Sequence, residues 1–135
     1  MSSTGIESRT KLLGIFPALI LAAVSVVRAD PGGDVVMGKR QFAQCSACHT
    51  IEKGGANKVG PNLHGIVGRK AASIADFQYS DAMRKSDVVW DEKSIDAFIK
   101  QPSAFIPGTA MAFLGVTKDE ARAAIIAYLK EAGNE

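Results

Sequence analysis

Cys45-Ser46-Ala47-Cys48-His49 is the stretch on which the reading of this 135-residue chain turns. C-x-x-C-H is the pattern by which a protein attaches haem covalently and ligates its iron. Three residues apart on a helical turn, the two thiols lie on one side, where both sulfurs can add across the vinyl groups of one haem edge to form thioethers. His49 follows at once and can reach the iron. Its ring must be neutral to coordinate through one nitrogen, while the other nitrogen needs a hydrogen-bond acceptor to fix the ring's orientation.

Other uses of these residues fit less well. Cys45, Cys48, His49 and His64 could supply a Cys2His2 zinc site, but His49 adjoins Cys48 and His64 lies 15 residues further on, which matches none of the usual spaced pairs. A thioredoxin-like dithiol needs its C-x-x-C at the start of a helix within a βαβ unit, and no strand periodicity surrounds these cysteines.

Upstream, residues 1–29 read as a secretory leader that is cleaved. A polar start with Arg9 and Lys11 precedes the largely apolar run Leu12 to Val27, and Val27-Arg28-Ala29 is an A-x-A-like cleavage site that places the cut before Asp30. A run of 16 residues containing Pro17 is shorter than the roughly 20 residues a membrane-spanning helix needs. Export also suits the cysteines. In an oxidising compartment a free dithiol becomes a disulfide, whereas haem attachment consumes both thiols.

Residues 30–135 then form one domain with a modest core. The net charge of +2 comes from Arg9, Lys11 and Arg28 against Glu7; removing those three of 16 bases and one of 14 acids leaves 13 of each. A chain so balanced lacks the basic surface that nucleic-acid binding requires.

Within that domain, Asp34 is expected to cap a first helix running to about Gln44, with Val35, Gly38 and Phe42 on one face. Gly38 costs a helix roughly 1 kcal/mol relative to Ala, which points to close approach of a second helix. Thr117 and Glu120 form a capping-box pattern, after which Ala121, Ala124, Ile125, Tyr128 and Leu129 make one apolar stripe ending near Gly133. Between them, Asp91 opens a helix with Ile95, Phe98 and Ile99 on a shared face, and Pro102 ends it. The remaining segments are rich in Gly and Pro and read as loops. So little regular structure cannot make a core alone, and a large buried cofactor would complete it.

A six-coordinate haem needs a second axial donor, and Met37, Met83, Met111 and His64 are the candidates. Met37 lies inside the first helix. His64 is tethered close to His49, on what a short connection would keep as the same haem face. Met111 stands 62 residues beyond His49, in a loop stiffened by Pro107 that lacks helical or strand periodicity. Long loops that must place one side chain are usually functional.

In the order Gly33–Val35, Cys45–Thr50, Gly60–Gly65, Gly68–Lys70, Phe77–Met83, Trp90, Ile106–Phe113 and Ala127–Lys130, these motifs resemble a class I cytochrome c, close to the bacterial c2 and mitochondrial c group. The resemblance covers essentially Gly33 to Glu135. It implies an all-α cytochrome c fold, three main helices and long loops wrapped around one covalent haem c held through Cys45 and Cys48. It implies iron ligation by His49 and Met111, with the Pro61 carbonyl accepting the His49 ring N–H. It further implies that Arg69, Tyr79 and Trp90 hold the haem propionates, that Thr109 helps satisfy them, and that Phe113 flanks the haem edge.

Three departures from that pattern stand out. Phe98 and Met83 occupy places where close relatives often carry Tyr and Asn. Lysines that ring the haem edge in mitochondrial relatives give way to Gln44, Ser103, Ala104, Ala110 and Thr117, while Lys39, Lys53, Lys58 and Lys118 remain.

With both axial positions closed the iron has no room for substrate, so the expected role is a soluble periplasmic one-electron carrier rather than an enzyme, monomeric and without stable membrane insertion. A peroxidase-like c-haem enzyme is the competing expectation and would need an open iron. The resemblance implies membrane redox complexes as partners: a quinol–cytochrome c reductase as donor, and a terminal oxidase or photosynthetic reaction centre as acceptor.

Overall fold

The computed structural model describes residues 1, 2, 5 and 31–135, so the leader expected over 1–29, with its cut before Asp30, falls outside the described residues but for those three positions. Among the described residues six helices follow in order: α1 (Pro31–Gln41), α2 (Ala43–Ser46), α3 (Asp81–Lys85), α4 (Glu92–Lys100), α5 (Pro102–Phe105) and α6 (Asp119–Ala132). An isolated antiparallel bridge joins Lys70 to Val89. The fold is all-α, and the three long helices α1, α4 and α6 are the three that periodicity marks.

Helix α1 packs on α6, and α6 packs in turn on α4. Gly38 makes the first contact possible, because a Cβ there would run into the Ala124 carbonyl and stand 2.8 Å from the Tyr128 Cβ. One turn later Phe42, 4% exposed, meets Tyr128 edge-on with ring centroids 5.3 Å apart. On α6 the expected stripe is the buried one: Ala121, Ala124, Ile125 and Leu129 all face inward.

Helix α4 starts as its sequence says. The Asp91 carboxylate accepts from the Ser94 backbone N–H at 2.7 Å, and Ile95, Phe98 and Ile99 are buried. Pro102 stops α4 but also begins α5 at its first position, where a missing N–H costs nothing.

Three helix boundaries differ from expectation. Asp34 is not the cap of α1; the helix begins at Pro31, whose fixed φ suits a first helical position, and Asp34 lies in the first turn, where its charge favours the helix dipole. The helix also ends at Gln41 rather than Gln44, and a turn at Phe42 separates it from α2. The Thr117–Glu120 capping box does not form. Lys118 is the N-cap of α6, without a side-chain hydrogen bond, and the Thr117 carbonyl is taken by Arg122 at 3.0 Å.

Candidate functional site

The short turn of α2 presents the cysteine pair. Its hydrogen bonds run from Ser46 N to Phe42 O at 2.9 Å and from both Cys48 N and His49 N to Cys45 O at 3.0 Å, which winds Cys45, Cys48 and His49 around one turn. The loop after them folds back on it. Gly60 N donates to Cys48 O at 2.8 Å, Lys58 Nζ to Ser46 O at 2.9 Å, and Leu63 N to Thr50 O at 2.9 Å, with Asn62 Nδ2 bonded to the Thr50 hydroxyl at 2.7 Å.

That fold-back orients His49. Its Nδ1 lies 2.7 Å from the Pro61 carbonyl, and since a carbonyl only accepts, Nδ1 carries the proton and Nε2 keeps its lone pair. Gly60 lies flat against the ring, where a Cβ would collide with it. Burial pushes the imidazole pKa below its ordinary 6.5; the Pro61 bond works in the opposite direction, and Lys58 adds to the depression. The ring is thus a neutral, single-tautomer donor, the form a metal needs.

His49 opens onto a cavity of about 280 Å³. All ten residues singled out from the sequence line it: Cys45, Cys48, His49, Pro61, Arg69, Tyr79, Trp90, Thr109, Met111 and Phe113. Of the four candidate second ligands, Met83 and Met111 line this cavity, whereas Met37 and His64 are not among its walls. Met83 is buried in the core beneath α3, and Met111 is half-buried on its loop. The loop is shaped by Thr109, whose backbone N–H reaches Ile106 O at 3.0 Å and whose hydroxyl accepts from Met111 N at 3.3 Å.

Sequence reading missed much of the wall. Phe42, Ile95, Phe98, Ile99, Ile125 and Leu129 carry the inward stripes of three helices, and those stripes face the cavity as well as each other. Phe98 meets Trp90 at a tilt, ring centroids 4.9 Å apart, and Phe105 edge-on at 6.2 Å. Periodicity marks these positions as buried and carries no signal that one neighbour is a cofactor.

The cavity suits a haem in shape of charge as well as in polarity. Its walls are mainly apolar, no Asp or Glu lines it, and its cations are Arg69 and Lys70. Arg69 donates from its two terminal nitrogens to Asn62 O and His64 O at 2.9 Å each, and burial pulls its pKa down while Tyr79 acts in the opposite direction. No carboxylate pairs with Arg69 among the described residues, so a half-buried cation with spare N–H groups faces the cavity unneutralised. A porphyrin with two propionates would satisfy both features.

The thiols agree. Burial, with a further contribution from Cys48, pushes the Cys45 pKa up to about 11, so this environment favours a neutral sulfur such as a thioether over a thiolate. Zinc needs thiolates, and among the described residues no group of three or more His, Cys, Asp or Glu side chains is placed to hold a metal.

A small helical domain with a C-x-x-C-H turn above an apolar, carboxylate-free cavity defines a c-type haem protein. The sequence model of the cytochrome c family matches residues 35–133, and the chain belongs to that family. It is 47% identical over 106 residues to cytochrome c of Theileria annulata, covering 78% of this chain and 91% of that protein. It is 44% identical over 100 residues to cytochrome c2 of Rhodoplanes tepidamans, covering 74% and 94% respectively. Among solved structures, cytochrome cH from Methylobacterium extorquens superposes with a TM-score of 0.68 at 43% identity, covering 73% of this chain and 99% of that one. The protein is a class I cytochrome c, an electron carrier with covalently bound haem c, for which Cys45 and Cys48 supply the C-x-x-C spacing.

Proposed function

We propose that this cytochrome is a periplasmic one-electron carrier whose iron is held between His49 and Met111. The observation that carries the reading is the 2.7 Å contact from His49 Nδ1 to the Pro61 carbonyl, which leaves Nε2 as the donor on a cavity that also presents the Met111 thioether. When bound, haem supplies one-electron chemistry between ferrous and ferric iron. The protein's part is to set the balance. A thioether ligand favours the ferrous state, and the apolar walls contributed by α4 and α6 work the same way by disfavouring the additional positive charge of the ferric state. Arg69 anchors the propionates, with the Tyr79 hydroxyl and the Trp90 indole as further donors and Thr109 shaping the loop beside them; Phe113 flanks the haem edge.

The partners proposed are membrane redox complexes, a quinol–cytochrome c reductase upstream and a terminal oxidase or photosynthetic reaction centre downstream, met by a monomeric carrier. No helix among the described residues is long and apolar enough to cross a membrane. Periplasmic placement is supported by the leader pattern of residues 1–29, and mass spectrometry of the purified protein should find a chain beginning at Asp30 with one haem added. Ligation is tested by Met111→Ala, which should keep the haem attached, lose the Met–Fe(III) charge-transfer band, and bind carbon monoxide in the ferrous state. Loss of the band in Met83→Ala instead would assign the ligand to Met83.

A further inference from the structure

Arg122 is, with His49, one of two buried polar or charged residues of the described chain, and its side chain is only 3% exposed. It lies on α6, away from the cavity walls, yet its guanidinium ties together three segments. Nε donates to Asp96 of α4 at 2.8 Å, one terminal nitrogen donates to Asp119 at 2.5 Å, and the other donates to the carbonyls of Val116 and Thr117 at 2.9 and 3.0 Å. Those two carbonyls are the far end of the loop that carries Met111.

The loop is held unevenly. Before Met111, short backbone bonds shape it from within: Ile106 N to Pro102 O at 2.9 Å and Thr109 N to Ile106 O at 3.0 Å. After it, one further bond, Phe113 N to Met111 O at 3.0 Å, is followed by Leu114, 99% exposed, and the chain is fastened to the body at Val116. Val116 N donates to Ile99 O of α4 at 2.8 Å, and Val116 O accepts from Arg122. Arg122 therefore provides the α6 half of a two-sided anchor, and Asp96, on the helix to which the other half attaches, holds the guanidinium in position.

We propose that Arg122 is a positioning residue that keeps the Met111 loop closed over the iron, so that the clasp Asp96–Arg122–Val116 governs how readily an outside ligand displaces Met111. This rests on the reading of Met111 as the axial ligand. A thioether is a neutral donor with no charge to hold it, and its residence on the iron depends on how seldom the loop that carries it opens. Opening breaks the loop's attachment before it breaks the fold, since such segments open locally at lower free energy than the core.

The experiment compares holoproteins by stopped-flow binding of imidazole to the ferric iron, with the Met–Fe(III) charge-transfer band recorded for each. Arg122→Met should speed imidazole association by about tenfold or more, the effect of losing hydrogen bonds from a charged donor. Asp96→Asn should give a smaller increase. The control is Tyr128→Leu, which loosens the α1–α6 contact away from the loop, with variants compared at matched unfolding free energy by adjusting urea. Equal association rates in Arg122→Met and Tyr128→Leu at matched stability would show that Arg122 only holds helices together and would overturn the proposal. Should Arg122→Met not fold, Arg122→Lys, which keeps the charge but cannot reach all four partners, is expected to fall between wild type and a tenfold increase, and a wild-type rate in both Arg122→Lys and Asp96→Asn would overturn it equally. Failure of the ligand reading looks different: the charge-transfer band would persist in Met111→Ala, whereas failure of the clasp alone leaves that band dependent on Met111.

Discussion

What suits His49 to ligate a metal is its neighbours rather than its position in the motif alone. Burial strips its proton, the Pro61 carbonyl fixes the remaining one on Nδ1, and Gly60 leaves room for the ring to lie flat. Gly60→Ala is therefore expected to push the ring off the Pro61 carbonyl and destabilise the holoprotein by about 1–3 kcal/mol, the usual cost of overpacking; denaturant unfolding followed at the haem absorption measures it. In the proposed site, Arg69 would act on the iron by charge. A cation held near the haem disfavours the ferric state, so removing it stabilises ferric iron and lowers the reduction potential. At an effective dielectric near 20 and about 10 Å, one charge contributes on the order of 1–2 kcal/mol, which corresponds to roughly 40–80 mV for a one-electron couple. Arg69→Gln should shift the midpoint downward by that amount in a spectroelectrochemical titration. An unchanged midpoint would mean that the guanidinium serves only to brace the Asn62 and His64 carbonyls.

At the scale of the helix, the α1–α6 crossing depends on the absence of a single methyl group. Gly38→Ala gains about 1 kcal/mol of helix propensity, but the new Cβ meets the Ala124 carbonyl and forces the pair apart; the clash should win by about 1–3 kcal/mol in denaturant unfolding. Helix α4 carries a pH signature. The Ser94 backbone N–H, followed by its hydroxyl, holds the Asp91 carboxyl below its ordinary 3.8. Just below 3.8 the unfolded chain takes up the proton first, so the cap's contribution is complete above 3.8 and fades as pH falls through the lower folded value. Asp91→Ala should thus lower the thermal midpoint at neutral pH, and the gap to wild type should close in more acid solution. These elements were legible because their signals are periodic or adjacent: Asp91 stands three residues before the Ser94 amide it caps, and the stripes of α4 and α6 recur at helical spacing. Helices α2, α3 and α5 were not, since four or five residues hold no full repeat. The capping box misled for a different reason. Helix α6 starts one residue late, with Lys118 at the N-cap, so Thr117 and Glu120 are out of register for the box; the segment before it is held by Arg122, one of whose partners, Asp96, is 26 residues away in sequence, and no local pattern reports a contact of that range. The site was legible as a residue list through its motifs, whereas its walls were hidden inside stripes that read only as helix packing.

For the whole molecule, the three helices meet around a space they do not fill. Without haem, the apolar walls of this cavity of about 280 Å³ are left facing water through its mouth, a loss of burial that a small domain with only ~5–15 kcal/mol of total stability can ill sustain. A Cys45→Ala/Cys48→Ala chain purified without haem should therefore lack a cooperative thermal transition by circular dichroism, and a sharp transition would contradict this. The surface around the same cavity determines how the carrier meets its partners. Gln44, Val59, Ala110 and Ala112 line its mouth, exposed and uncharged, and the one exposed base among its walls, Lys70, is paired with Asp87 at 3.9 Å. Lys58, the base nearest the cysteine turn, is bonded to the Ser46 carbonyl. Residues 30–135 balance 13 bases against 13 acids, so no net charge reinforces a local field. Exposed charges are screened beyond about 8 Å at physiological ionic strength, and steering then depends on a dense patch of one sign, which this rim does not supply. Stopped-flow oxidation of a purified quinol–cytochrome c reductase by the ferric protein should slow by less than about tenfold between low and physiological salt, against the 10–10³-fold that strong steering contributes. A hundredfold drop would mean that Lys39, Lys53, Lys58 and Lys118 act together as one patch at the haem edge, and that the uncharged residues at the mouth do not set the encounter.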